Sequence, residues 1–116
     1  MMIEKSNNFI ESQKNQWEDL GGGVKRQIMG YDKNIMMVKA SFEKGAVGPL
    51  HKHFHSQVTY VVSGKFEVSI DGVKKVLSEG DGFYIPPDIE HGAVCLKTGM
   101  LIDVFSPMRE DFLKKA

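Results

Sequence analysis

The chain has a single cysteine, Cys95, so no disulfide can form within it. A lone thiol suits a reducing compartment, and the expected location is the cytoplasm. Lysine and arginine together balance aspartate and glutamate, and no basic run exceeds two residues. A phosphate-tracking surface is therefore excluded, and no nucleic-acid partner is expected. No apolar run approaches the ~20 residues of a membrane span. The opening stretch, MMIEKSNNFIESQK, lacks the apolar segment of a secretory signal. Neither an internal repeat nor a low-complexity tract is present. At 116 residues the chain has the length of one domain. A chain of that size buries roughly two thirds of the surface its unfolded form exposes, enough for one core without staples.

What is present is strand-forming sequence between turn signals. In Ile35–Phe42, Met36, Val38, Ala40 and Phe42 fall on one face, with Lys39 and Ser41 on the other. Ile35 and Met37 make the start of that strand apolar on both sides, which is compatible with a subunit contact. Val58–Val62 reads as a strand ending in a turn at Ser63-Gly64. Phe66, Val68 and Ile70 then alternate with polar residues up to a two-residue hairpin turn at Asp71-Gly72. A turn at Gly80–Gly82 precedes a short strand, Phe83–Ile85, which Pro86-Pro87 stops. Val94–Leu96 and Met100–Phe105 read as the last strands, separated by Thr98-Gly99. Short strands at this spacing, without a long helix, imply a closed or sandwiched all-β fold. Residues 1–20 form a lead-in. Phe9, Ile10, Gln13, Trp17 and Leu20 can share a helical stripe capped by Asn8, or belong to an extended segment covering the sheet. After Phe105, Ser106-Pro107 has the form of a helix cap followed by proline at the first helical position.

The four histidines concentrate the chemistry. His51 and His53, two apart on an extended segment, project from one face, and Gln57 can join them after a local bend. His91 comes from a separate strand. Three imidazoles and an amide oxygen around an open site suit a divalent transition metal. The alternative for Gln57 is a hydrogen bond to the wall. His55 falls on the same alternation, but the bend makes it a residue of the rim or one behind the ligands. Asp103 shares a face with Leu101 and Phe105 in the apolar run MLIDVF. A buried carboxylate costs several kcal/mol unless paired or used, so it either has a role or faces out at an edge. Cys95, with no adjacent base, reads as a core residue. Gly80–Gly82 precedes no helix, which rules out a phosphate loop.

Gly45–Gly64 resembles the first motif of the cupins, with Gln57 where most have Glu, and Gly80, Pro86 and His91 resemble the second. The resemblance implies a single-domain all-β double-stranded β-helix, or jelly-roll barrel, over residues 21–116. A short lead-in over residues 1–20 precedes it, and a short helical turn follows its last strand.

The segments LGGGVKRQ, HSQVTYVVSGKFE and LIDVFSPMREDFL resemble the KdgF-type cupins of pectin and alginate degradation. That resemblance implies His51, His53, Gln57 and His91 as ligands of one divalent transition metal. Nickel or zinc is favoured, and iron or manganese is possible. It implies Asp103, Phe105 and Arg109 as catalytic residues, a small-molecule uronate substrate, and a homodimer. The implied reaction converts cyclic 4,5-unsaturated monouronates, released by lyases, to linear 5-keto-4-deoxyuronate. Alternatives are a three-histidine dioxygenase and a non-catalytic sugar- or effector-binding cupin.

Overall fold

The computed structural model describes residues 4–113; the outermost residues of the expected lead-in and barrel segments lie outside these. Eight strands follow one another: β1 (Glu18–Gly21), β2 (Val24–Asp32), β3 (Ile35–Phe42), β4 (Val47–His51), β5 (Ser56–Ile70), β6 (Val73–Ser78), β7 (Gly82–Ile85) and β8 (His91–Ser106). A 3-10 turn, Ser12–Lys14, precedes them and one helical turn, α1 (Glu110–Leu113), follows. All pairings are antiparallel, in the order β1-β2-β3-β8-β5-β6, with β4 on β8 and β7 on β5.

The two longest strands make this a barrel. The first half of β5 pairs with β7 and the second with β6, while β8 pairs with β4 and then β3. Each therefore belongs to both walls, which is the double-stranded β-helix of a cupin. The bends occur where turns are expected from the sequence, at Ser63-Gly64 and Thr98-Gly99, but neither turn breaks its strand. Instead the β5–β8 register shifts between Val61 and Phe66. Gly64 has φ +84°, and a Cβ there would stand 2.5 Å from the Lys97 carbonyl oxygen. A Cβ on Gly99 would collide with the Ser63 carbonyl. The backbones cross too closely for side chains, so the chain folds over without a loop.

The predicted alternation in β3 holds. Met36, Val38, Ala40 and Phe42 are buried, whereas Ile35 and Met37 are exposed. Two apolar clusters fill the barrel, one around Phe42, Phe66 and Leu101, the other around Met36, Val38 and Phe105. Cys95 is buried in the first, as expected of a core thiol, and burial pushes its pKa up. The Asp71-Gly72 hairpin forms as read, with positive φ at both residues and Ile70 opposite Val73.

Two local readings are corrected. The helical stripe of the lead-in does not form; Trp17 leads into a strand and Leu20 lies within β1, because Glu18 and Asp19 pair with β2. The final helix does not begin at Ser106-Pro107. Ser106 instead ends β8 and donates its hydroxyl to the Asn34 carbonyl at 2.7 Å, so the helix starts at Glu110. No helix of the described residues is long and apolar enough to cross a membrane.

Candidate active site

His51 closes β4 directly opposite His91, the first residue of β8, so a ladder pairing brings together side chains forty residues apart in the chain. His53 lies in the short connection to β5 and leans over both. Ring centroids are 4.4 Å apart for His51 and His91, and 4.8 Å for His53 and His91. One ring nitrogen of each lies within 4.8 Å of those of the other two, a group that could hold a metal ion. His51 is exposed at the mouth, and His91 is buried.

Backbone carbonyls choose the tautomers. Nδ1 of His51 lies 2.8 Å from the Pro49 oxygen, Nδ1 of His53 is 3.1 Å from the His55 oxygen, and Nδ1 of His91 is 2.9 Å from the Ile89 oxygen. A carbonyl only accepts, so Nδ1 of His51 and of His91 carries the proton and Nε2 presents a lone pair, whereas His53 faces an acceptor at each nitrogen, the His55 oxygen at Nδ1 and the Gln57 amide oxygen at Nε2. Burial above all lowers the pKa of His53, and takes that of His91 down to about 4. Both are neutral near neutral pH. Fixing one ring nitrogen on an acceptor while the other stays free is how metal-binding histidines are oriented.

Gln57 stands beside this group. Its amide nitrogen donates to the Thr59 hydroxyl at 3.0 Å and to Asp103 Oδ1 at 3.3 Å, which fixes which way the amide points. Its oxygen is then aimed at Nε2 of His53, 3.1 Å away. A neutral His53 can donate to only one of its two acceptors, and a cation bound at Nε2 would remove that conflict. This donor set fits a divalent transition metal.

Asp103 stands behind Gln57 on the inward face, opposite Thr59 in the β5–β8 ladder. Thr59 donates to its Oδ1 at 2.6 Å. Burial pushes the carboxyl up to about 6, against the pull of the Thr59 and Gln57 hydrogen bonds and of Arg109. The edge-facing alternative is thereby excluded. Phe105, buried one alternation further on, sets its ring against His53 at 5.7 Å. Arg109 precedes α1, held by a bidentate pair to Asp111 at 3.1 and 2.9 Å. Its guanidinium carbon lies 5.0 Å from the Phe105 ring centroid. His55 is buried with its Nδ1 unpartnered and its ring stacked on Phe54, and its carbonyl holds the Nδ1 of His53.

His51, Gln57, His91, Asp103, Phe105 and Arg109 all line one cavity of about 270 Å³. Residues not expected from the sequence line it too, notably Arg26 and Phe112. The signal for Arg26 was available: in β2, Val24, Arg26 and Ile28 alternate on one face, and a cation there stands among apolar neighbours. Phe112 had no comparable signal.

A barrel of two walls sharing two bent strands, with imidazoles from two of its segments converging at the mouth, defines a cupin. The cupin domain family matches residues 38–105, and the chain belongs to it. It is 47% identical to pectin degradation protein KdgF of Dickeya dadantii (strain 3937) over 107 residues, covering 90% of this chain and 96% of that one. An RmlC-like cupin from Shewanella frigidimarina NCIMB 400 superposes with a TM-score of 0.93 at 53% identity, over 95% of this chain and 99% of that chain. KdgF from Halomonas sp. superposes with a TM-score of 0.88 at 41% identity, over 93% and 100%.

Proposed function

We propose that this protein is a metal-dependent enzyme that opens the ring of cyclic 4,5-unsaturated monouronates and yields linear 5-keto-4-deoxyuronate. The observation that carries the reading is the locked Gln57 amide. Its oxygen lies 3.1 Å from one of the three clustered imidazoles, while its nitrogen bonds the one carboxylate among the residues that line the cavity. The likeness to two proteins named KdgF supports the substrate class.

The reaction is an isomerisation. The C1 hydroxyl loses its proton, the bond from C1 to the ring oxygen breaks, and C1 becomes an aldehyde. The enolate left at C4–C5 then takes a proton at C4 and becomes the C5 ketone, so neither water nor an oxidant is consumed. His51, His53, Gln57 and His91 would hold the cation, which with four uncharged ligands supplies undiminished Lewis-acid stabilisation to charge developing on the ring oxygen.

Protons are the work of Asp103. A carboxyl with a pKa of about 6 is present in both forms near neutral pH, so it can take the C1 proton and return one to C4. Thr59 fixes its orientation and stabilises its anion. Phe105 packs on the sugar face, and Arg109, immobilised by Asp111, donates its remaining N–H groups to a sugar hydroxyl.

The test follows the ultraviolet absorbance of a purified unsaturated uronate after adding the metal-loaded protein, with NMR detection of the ketone at C5. We expect the absorbance to disappear, a chelator to stop the reaction, and Asp103→Asn to slow it by about 10²–10⁴-fold while retaining metal. Metal-loaded protein that leaves the absorbance untouched would sink the proposal.

A further inference from the structure

We infer that Arg26 binds the carboxylate of the sugar acid and sets the preference for an acid over a neutral sugar. The inference takes the identity of the sugar acid from the reading above, but its geometry is independent. In the inward-facing rows of the barrel wall, Arg26 pairs with Ala40 and Ala40 with Leu101, the row next to Ile28, Val38 and Asp103. Two strand spacings, ~10 Å, separate the backbones of β2 and β8. A six-membered ring with its substituents and an arginine side chain together span that gap.

The guanidinium is held on one edge only. Glu18, its directly opposite neighbour in the β1–β2 ladder, takes Nε at 2.9 Å, and the guanidinium carbon lies 3.8 Å from the centroid of Phe112. The side chain is only 16% exposed. Among the described residues no acceptor takes its two terminal nitrogens, which leaves a planar, two-donor fork, the shape that a carboxylate matches. Arg109 is the contrasting case. Its Nε and Nη2 are both taken by Asp111, so its charge is already met by a carboxylate at two points. The cavity thus holds two arginines, one paired with a carboxylate at two points and one at a single point.

The experiment compares parent, Arg26→Gln and Arg26→Lys in their metal-loaded forms. Turnover is measured on the unsaturated uronate and on its methyl ester, and calorimetry measures binding of a saturated uronate, which lacks the reactive double bond. We expect Arg26→Gln to raise KM for the acid by about tenfold or more, with kcat within about threefold. Ester turnover should be nearly unchanged, and binding of the saturated uronate should weaken by a similar factor. Arg26→Lys, which keeps charge but not the fork, should fall between, and it carries the test if the Gln variant does not fold. The assignment is overturned if the variants keep the parent's acid-over-ester preference. It is equally overturned if KM, kcat, metal content and melting temperature all worsen together, the signature of a merely structural arginine. Should the parent bind the saturated uronate through Arg26 yet leave the unsaturated ring closed, the ring-opening reading falls and the carboxylate site stands.

Discussion

Thr59 and Asp103 face one another across the β5–β8 ladder, and the Thr59 hydroxyl donates to the carboxylate at 2.6 Å while accepting from the Gln57 amide at 3.0 Å. One hydroxyl thus joins the amide of the candidate metal site to the carboxyl proposed to move protons. Thr59→Val keeps the shape and deletes both bonds. Stabilisation of the Asp103 anion is lost, so its pKa rises above about 6. The acid limb of the pH–rate profile should move toward neutral pH, at a cost of about 1 kcal/mol in stability. An unmoved acid limb would mean that this hydrogen bond does not tune the reaction.

Metal should stabilise the fold as well as support turnover. A ligand that binds only the folded chain adds about 4 kcal/mol at a thousandfold excess over its Kd, on the order of 10 °C in Tm for a domain of this size. Nickel or zinc added to stripped protein should produce such a shift. His91→Ala, which removes the buried member of the trio, should abolish it. Calorimetric melts with and without metal decide the matter, and an undiminished shift in the variant would place the cation elsewhere.

The pH dependence of stripped protein has a definite sign. Burial lowers the His91 pKa from 6.5 to about 4, so between these values the unfolded chain binds the proton more readily. That contribution, on the order of 3 kcal/mol, is complete above pH 6.5 and is lost as the pH falls through 4. His53 and His55 are lowered as well, mainly by burial, and act in the same direction. Asp103 opposes them: its pKa is raised from 3.8 to about 6, so its contribution is complete below 3.8 and is lost as the pH rises through 6. Urea midpoints should therefore fall on acidification, and more steeply in Asp103→Asn than in the parent. A shallower slope in the variant would contradict the raised carboxyl.

The crossing of β5 and β8 offers a test of the fold. Gly64 and Gly80 both have positive φ, +84° and +92°, but a Cβ on Gly80 meets nothing within 4 Å. On Gly64 it meets the Lys97 carbonyl at 2.5 Å and the Gly99 Cα at 2.7 Å. Gly80→Ala should cost about 1–2 kcal/mol, the backbone penalty alone. Gly64→Ala should cost ~3 kcal/mol or more, through added strain and collision, or prevent soluble expression. Equal denaturation midpoints for the two variants would mean that the crossing yields easily.

Side-chain alternation is a local property of an extended chain, so the amino-acid order alone determined the buried face of β3, the shared face of Asp103 and Phe105, and the Asp71-Gly72 hairpin. It also placed the imidazoles and Gln57 in two separate segments, the candidate donors of one site. Pairing is not local. That His51 lies opposite His91, that Gly64 and Gly99 are bends rather than strand ends, and that Arg26 shares a cavity with Asp103 all depend on which strands meet and in what register. The same holds for the proton positions on the histidines and the aim of the Gln57 amide, which are set by carbonyls and by a threonine contributed by the folded barrel. Residue order supplied the donors and acceptors; only closure of the barrel decided which of them face one another, because hydrogen-bond direction and burial exist only once distant strands are packed.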